Sequence, residues 1–455
     1  MPKQLALLFC IGFVWWLLQF DRKQRYPRTS ALWLPTIWIL AISSRPLDSW
    51  SNFNIGASGA VLDPLFHGTM LCIGLIVLGR RDFNWGRAFR ANWWLFVLVG
   101  YMLTSIVWSD MIFVSFKRCV RELTALVMAL VVLTEPAPLQ ALQSLFRRTI
   151  YVLVPFSLLL IKYYPPIGVM YSRWTGEIQW IGVTLQKNSL GRICLTAIFF
   201  LIWTLIRRRK RREPTVARYQ NHADIFVLFL SAWLLRGPSM WAASATAIYA
   251  LTAGLLGLWG LSWSRRHKML PGPTMLASIV AVIVVVGTIT PFVGGSNLAG
   301  FTSAVGRDST FTGRTEIWAE YVPAVKKRPL FGYGFGGFYK VPAEAHNGYL
   351  DVWLGLGFVG VVITGMFLVS TVRRAALLLP RNFDWAALTI CFTVMAAIHN
   401  ISESSFDSLQ RQLMAVVMFV SVIAIPHAAK ASVTRSVRAT IPKAQPQRIP
   451  TAIGF

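Results

Sequence analysis

The sequence predicts an all-α, polytopic membrane protein with about 12 to 13 transmembrane helices and one large extracytoplasmic loop. Of the 455 residues, 55% are hydrophobic and only 14% are charged. Many apolar runs approach the roughly 20 residues that a helix needs to cross a bilayer. The basic residues gather in short runs between these apolar segments, as the positive-inside rule requires.

The apolar segments give the expected spans in chain order. They are residues 5–20, 31–43, 61–78, 92–108, 118–134, 149–164, 188–206, 224–235, 240–263, 274–292, 348–372, 385–399 and 413–425. Segment 31–43 is short for a span, so it either extends into its flanks or forms a re-entrant pair with the first. The first segment is expected to be a retained helix, because charged residues follow it where signal cleavage needs small ones.

The basic runs predict the orientation of the chain. Those at 80–81, 207–212, 265–268, 373–374 and beyond 430 are expected on the cytoplasmic side. The segments 171–184 and 314–340, with Arg236 and Glu403, then lie on the opposite face. The basic stretch 21–28 also belongs inside, which places the N-terminus outside.

Residues 1–429 are expected to form one membrane domain, with an extracytoplasmic catalytic loop at 293–347. Residues 430–455 are basic, contain prolines and have few large apolar side chains, which predicts a disordered cytoplasmic tail. The net charge of +27 fits anionic lipid headgroups. No nucleic-acid motif accompanies it, so nucleic acid is excluded as a partner. The five scattered cysteines favour neither a metal site nor a disulfide framework.

The segment 311–360 holds the most distinctive motifs. It contains GRTEIW at 313–318, RPLFGYGFGGF at 328–338 and HNGYLDVWLGLGFVG at 346–360. The glycine run formally includes G-x-G-x-x-G, but no βαβ unit surrounds it, which excludes a dinucleotide site. Weaker motifs are VWS at 107–109, KNSLG at 187–191 and NISES at 400–404.

These motifs together resemble the O-antigen ligase and polymerase superfamily, and within it they are most similar to exopolysaccharide-repeat polymerases. The resemblance runs through most of the chain, and the segment 311–360 is its most specific part. It implies a substrate in which undecaprenyl diphosphate carries a sugar chain.

Two arginines are candidates for binding the diphosphate. Arg236 ends a short apolar segment and precedes Gly237-Pro238; an arginine at this depth faces a cavity, or snorkels to the headgroups. The resemblance implies a key arginine at this place. Arg314 begins an interfacial helix, where its guanidinium can bind a diphosphate in a bidentate way. The alternative for Arg314 is a weak surface pair with Glu316.

His346 is the candidate general base, because an imidazole accepts a proton from a hydroxyl near neutral pH. Asp351 is expected either to orient this imidazole or to cap the following helix. Glu403 is expected to pair with Arg236 or Arg314 in the empty site. The alternative for His346 is a polar residue at headgroup level.

Lys187 and Asn188 open another helix on the same face, where a cation beside helix-start amides makes an anion site. An interfacial anchor is the alternative. Arg118, at the start of a further outer-face helix, is a weaker candidate of the same kind. Tyr333 is one of several aromatic residues expected to stack on sugar rings, and it joins Glu316 and Glu403 as a supporting residue.

The predicted activity is that of a membrane glycosyltransferase. It transfers an undecaprenyl-diphosphate-linked oligosaccharide to a sugar hydroxyl at the periplasmic face of the bacterial inner membrane, by a metal-independent, inverting reaction without cofactors. The alternatives are an O-antigen ligase acting on lipid A core and a transporter or flippase for the same lipid-linked sugar. Expected partners are the lipid-linked donor, the glycan acceptor, membrane lipids and other polysaccharide assembly proteins.

Overall fold

The protein is an all-α polytopic membrane protein. The computed structural model describes residues 1–22, 26–50, 62–82, 84–172, 176–211, 216–239, 243–293, 314–338 and 344–424. The predicted disordered tail at 430–455 and a large part of the predicted catalytic loop, residues 294–313 and 339–343, lie outside the described residues.

The helices follow the predicted order. They are α1 (Lys3–Arg22), α2 (Trp33–Ile42), α3 (Leu47–Trp50), α4 (Leu62–Gly79), α5 (Trp85–Ala91), α6 (Trp93–Thr104), α7 (Ile112–Leu133), α8 (Pro138–Tyr163), α9 (Pro165–Gly168), α10 (Lys187–Arg211), α11 (Val216–Arg236), α12 (Ala245–Arg266), α13 (Pro273–Ile289), α14 (Arg314–Lys327), α15 (Gly348–Leu378), α16 (Phe383–His399) and α17 (Gln412–Phe419). Short turns Ser30–Leu32, Ser105–Trp108, Thr290–Phe292 and Val420–Ala424 extend their neighbours. Strands β1 (Val169–Tyr171) and β2 (Ile178–Trp180) pair antiparallel, with Met170 opposite Gln179.

Within the described residues, seven helices are long and apolar enough to cross a membrane: α1, α4, α8, α10, α12, α13 and α15. Shorter apolar helices cover four further predicted spans, and α7 and α11 occupy the remaining two. Large apolar side chains are exposed on the outer helices, including Phe9, Leu65 and Val282. Exposed apolar surface of this extent fits a lipid environment.

The core surrounds α17, all of whose residues are buried. It packs against α7, α10 and α16, while α1 packs on α8 and α2 packs on α7 and α8. The first two predicted segments therefore share α8 as a neighbour, and α2 also rests on α7.

Helix α8 begins at Pro138, well before the predicted start at 149. Proline is favoured at the first helical position because its missing N–H has no partner there. The sequence placed charged Arg148 outside the span, yet Arg148 is buried and its Nε lies 2.7 Å from Asp21 Oδ2. A buried charge is tolerated when it is paired, so the helix extends past it.

Helix α15 is broken at Gly357, whose φ is +69°. The break leaves backbone groups without helical partners, and the glycine-rich loop supplies them. The Tyr333 N–H donates to the Leu354 carbonyl (2.9 Å), and the Phe358 N–H donates to the Pro329 carbonyl (2.9 Å). These bonds dock the loop into the helix and fix its position above the outer end of α15.

Cysteine labelling tests the predicted orientation. In a background without the five native cysteines, Arg266→Cys at the end of α12 and Lys326→Cys at the end of α14 are expected to react from opposite sides of the membrane. The reason is that basic loops are retained in the cytoplasm. Both side chains are exposed. Labelling of both from one side would contradict the orientation.

Candidate active site

Glu403 is the centre of a polar cluster that also contains Arg314, His346 and Asn188. Its side chain is only 1% exposed. Arg314 Nη2 and Asn188 Nδ2 both donate to Glu403 Oε1, and His346 Nδ1 lies 3.7 Å from Glu403 Oε2. This Glu403 cluster unites residues from the starts of α10 and α14 and from the segment before α15. The sequence offered Arg236 or Arg314 as the partner of Glu403, and the partner is Arg314.

The backbone around His346 is tied to the loop that carries Glu403. Asn347 caps α15, and its Nδ2 also donates to the Ile401 carbonyl (2.9 Å). The Gly348 N–H donates to the Glu403 carbonyl (3.0 Å). Because these bonds join two segments far apart in sequence, they set the distance between the imidazole and the carboxylate.

His346 has a left-handed backbone, with a φ of +50°. Such a conformation is uncommon for a residue with a side chain and persists where the surroundings enforce it. The side chain is 25% exposed. Its Nδ1 faces Glu403, which leaves Nε2 as the nitrogen that a substrate can approach.

The two groups shift each other's pKa. Burial lowers the pKa of His346, but the Glu403 carboxylate outweighs this and the pKa lies above 6.5. Burial raises the pKa of Glu403, but Arg314 and His346 bring it well below the ordinary carboxyl range. Glu403 is therefore ionised at neutral pH, and it stabilises the imidazolium that forms when His346 accepts a proton.

Asp351 does not face the imidazole. Its Oδ1 accepts from the Ala345 N–H (3.1 Å), and its Oδ2 accepts from the Ser404 hydroxyl. The structure shows neither role expected for Asp351: its bonds anchor the backbone before α15, and Asn347 is the residue that caps that helix.

A small crevice connects Lys187 and the residue after Arg236 with the Glu403 cluster. Lys187 and Gly237, which follows Arg236, line one small crevice together with Ser244. The Ser244 hydroxyl donates to Asn188 Oδ1 (3.0 Å), which connects this crevice to Glu403. Arg236 is exposed and makes no hydrogen bond or ion pair with any residue that the structure describes.

Arg118 lies apart from the Glu403 cluster, on α7. Its Nη1 donates to the Gly336 carbonyl (3.0 Å). A Cβ at Gly336 would lie 2.2 Å from Arg118 Cδ, so a larger residue there would displace the Arg118 side chain. Together they form part of the wall of a cavity of about 420 Å³.

The remaining predicted supporting residues do not join the cluster. Glu316 is exposed and, within the described ranges, makes no contact with Arg314. The Tyr333 hydroxyl donates to the Ala324 carbonyl (3.2 Å), and its ring packs 5.0 Å from that of Phe338. Tyr333 therefore fixes the glycine-rich loop against α14.

Sequence reasoning missed a second polar group beside the cluster. Arg411 pairs with Glu344 (2.6 Å) and Asp407 (3.3 Å). Burial raises the pKa of Glu344, but Arg411 brings it below its ordinary value. The acids Glu344 and Asp407 could have been selected from the sequence, because acids near the membrane are functional candidates by default. In the parts of the chain that the structure describes, no three His, Cys, Asp or Glu side chains form a group that could hold a metal.

Comparison with known proteins places the main candidates in one matched segment. Residues 226–365 match the family model described as O-antigen ligase, and this segment contains Arg236, Arg314 and His346. The resemblance to the O-antigen ligase and polymerase superfamily is thereby confirmed. The chain is also similar to the exopolysaccharide production protein ExoQ of Rhizobium meliloti (strain 1021), to which it is 22% identical over 297 residues. That match covers 61% of this chain and spans 63% of the relative's length.

Proposed function

We propose that the protein is a membrane glycosyltransferase that moves an undecaprenyl-diphosphate-linked oligosaccharide onto a sugar hydroxyl, as an exopolysaccharide or O-antigen polymerase does. The observation that carries this proposal is the Glu403 cluster. It places an arginine and a polarised histidine together on one buried carboxylate, and both belong to the segment that matches O-antigen ligase. The name of the ExoQ relative supports polymer synthesis over ligation onto lipid A core.

The proposed reaction is a direct, inverting displacement. The acceptor hydroxyl oxygen forms a bond to the anomeric carbon while the bond from that carbon to the diphosphate oxygen breaks. The hydroxyl proton passes to His346 Nε2, and the electron pair leaves with the diphosphate. Glu403 stabilises the imidazolium by its charge and holds the ring in place. The step as proposed uses protein side chains only and needs no metal ion.

The cations are proposed to stabilise the departing diphosphate, because its negative charge grows as the bond breaks. Arg314 belongs to the Glu403 cluster, Lys187 lines the neighbouring crevice, and Arg236 is the exposed residue that precedes Gly237 in the wall of that crevice. Asn188 lies between them, hydrogen-bonded to Glu403 on one side and Ser244 on the other. The lipid tail of the donor would remain among the apolar outer helices.

We propose the bacterial inner membrane as the location, with the site facing the periplasm. The site lies at the helix ends opposite the basic segments 207–211 and 265–268, which are retained in the cytoplasm under the positive-inside rule. The glycan acceptor would then meet the donor after the donor has crossed the membrane.

The experiment that tests the function is product analysis with the purified full chain in lipid vesicles. Labelled lipid-diphosphate-linked oligosaccharide is supplied on one face to follow its movement and, in a parallel assay, on both faces, where the glycan is sized before and after incubation. Elongated glycan with release of the lipid diphosphate is expected. Movement of unaltered lipid-linked sugar across the bilayer, without elongation, would contradict the proposal and favour the transporter alternative.

Glu403→Gln is expected to move the acid limb of the pH–rate profile to lower pH. Without the carboxylate, the pKa of His346 falls, so more of the neutral base remains at acid pH. The maximal rate should also fall about tenfold or more, because imidazolium and Arg314 lose their counter-charge. The measurement is initial rate against pH. Asp110→Asn, which alters an exposed ion pair with Arg328, is the control. An unchanged acid limb in Glu403→Gln would contradict the coupling.

A further inference from the structure

The cavity of about 420 Å³ is lined by Glu344 and Asp351, which lie on either side of His346 in the sequence. Its walls come from α2, α4, α7, α14, α15 and the segment before α17. Asp351, which lines it, is hydrogen-bonded to Ala345, the residue before His346. Ala345 thus links the cavity wall at Asp351 to the proposed base His346.

The cavity has the size and chemistry of a site for a polar organic ligand. Pockets of about 300 to 1,000 Å³ hold small-molecule ligands. Aromatic side chains of Tyr321, Phe335 and Phe338 form part of the wall, and flat aromatic faces pack on the apolar faces of sugar rings. Carboxylates and guanidinium groups line another part of it, among aliphatic side chains, and they hydrogen-bond hydroxyls well because their bonds are charge-assisted.

Several charged groups of the wall are held in place by internal bonds. Glu344 pairs with Arg411 (2.6 Å), and Glu122 accepts from the Ser408 hydroxyl (2.5 Å) and the Leu409 N–H (2.6 Å). Groups fixed in this way lose little freedom when they contact a ligand, which favours binding. A carboxylate oxygen can accept more than one hydrogen bond, so these acids retain capacity for ligand hydroxyls.

The wall also contains a donor without an internal partner. Arg121 lies one turn from Arg118 on α7 and lines the cavity, but it makes no hydrogen bond or ion pair with the part of the chain that the structure describes. Five N–H donors on a planar group beside an aromatic wall provide contacts that a ligand with several oxygens can use.

We propose that this cavity is the acceptor subsite, and that it receives the terminal sugars of the glycan whose hydroxyl attacks the donor. The inference rests on the proposed function. The acceptor enters along the aromatic wall, its hydroxyls bond to Glu344, Asp407 and Arg121, and its end reaches His346. The acceptor hydroxyl is thereby presented to His346, while Arg314 holds the donor diphosphate. Arg118, which the sequence assigned to the diphosphate, belongs to this acceptor wall.

Gly355 provides a way to fill the cavity without changing its charged groups. It lines the cavity, and the nearest atoms that an added Cβ would meet are 3.7 and 3.9 Å away. Alanine there makes ordinary contacts, whereas leucine extends into the space. Gly260 on α12 is the matched control, because nothing lies within 4 Å of its added Cβ. Gly355→Leu and Gly260→Leu therefore add the same side chain at a cavity position and at a position away from it.

The test measures binding of two probes to the full-length protein in lipid nanodiscs. The first probe is an oligosaccharide released from the producing cell's own surface polysaccharide and labelled at its reducing end. The second is the lipid diphosphate without sugar. Gly355→Leu is expected to weaken oligosaccharide binding about tenfold or more and to change lipid-diphosphate binding less than twofold. Arg121→Gln should weaken oligosaccharide binding about threefold to tenfold, and Gly355→Ala and Gly260→Leu should leave both affinities unchanged.

Two results would overturn the acceptor subsite. One is unchanged oligosaccharide affinity in both Gly355→Leu and Arg121→Gln, and the other is a selective loss of lipid-diphosphate affinity in either. Should Gly355→Leu fail to fold, Arg121→Gln decides alone. The binding assay needs no turnover, so it also separates the two ideas. A wild-type protein that binds the oligosaccharide through Arg121 but elongates no glycan would contradict the proposed function and leave the saccharide site standing.

Discussion

His346→Ala is expected to lower the rate of glycosidic bond formation by about 10²- to 10⁴-fold, the usual contribution of a general base. Affinity for the lipid-linked donor should stay near that of the wild type, because the imidazole acts on the acceptor proton and not on the diphosphate. The wild-type rate should fall as the pH drops through the raised pKa of His346, since the base must be unprotonated. The measurement is single-turnover rate and donor affinity across pH.

The acid limb decides whether His346 acts as a base. It should be absent from any residual activity of His346→Ala. His346→Gln keeps the approximate size and hydrogen-bonding capacity of the side chain but cannot take a proton near neutral pH, so it should be as inactive as the alanine variant. A glutamine variant with substantial activity and an unchanged acid limb would reduce His346 to an anchor of the loop.

Arg314→Lys is expected to lower the rate by about 10²-fold or more, the usual cost of losing a contact that stabilises transition-state charge. A guanidinium presents several N–H groups in a plane, so it can hold Glu403 with one nitrogen and a diphosphate with others. The lysine ammonium is a point charge and cannot span both. The measurement is the rate with saturating donor, together with donor affinity and a check of membrane insertion.

Arg236→Lys should behave similarly but with a larger share of the loss in donor binding, because Arg236 is exposed and pairs with no carboxylate among the residues that the structure describes. Arg328→Lys is the matched control. Arg328 is 42% exposed and pairs with Asp110, and exposed pairs contribute little. Near-normal rates in both Arg314→Lys and Arg236→Lys would restrict the two arginines to a structural or steering role.

Much of the helix layout was predictable, since the length of each apolar segment and the basic residues between segments are local properties of the sequence. Errors arose where burial of a charge depends on a distant partner. The early start of α8 is an example: Arg148 reads as a surface residue until Asp21, far away in the chain, is seen beside it. The hydrophobic periodicity of a segment carries no information on such pairs. The sequence around a charged residue is the same whether or not its partner lies near it in space.

The candidate site was likewise predictable only in part. Sequence motifs selected Arg236, Arg314, His346 and Glu403, but they gave no means to choose which carboxylate orients the imidazole. Asp351 is nearer in sequence, and Glu403 is nearer in space. Helix geometry could place Asp351 close to the start of α15, yet the Ala345 N–H and the Ser404 hydroxyl already occupy its oxygens.

The sequence by itself determined the membrane class and the order of the helices, and it selected the candidate side chains for binding a diphosphate or moving a proton. Hydrophobic length and residue chemistry suffice for those conclusions, because they do not depend on which segments meet. Only the tertiary structure decided that Glu403 joins Arg314, Asn188 and His346, that the glycine-rich loop docks at the break at Gly357, and that a cavity opens beside the base. Each of these depends on contacts between segments far apart in the chain, and packing alone sets such contacts.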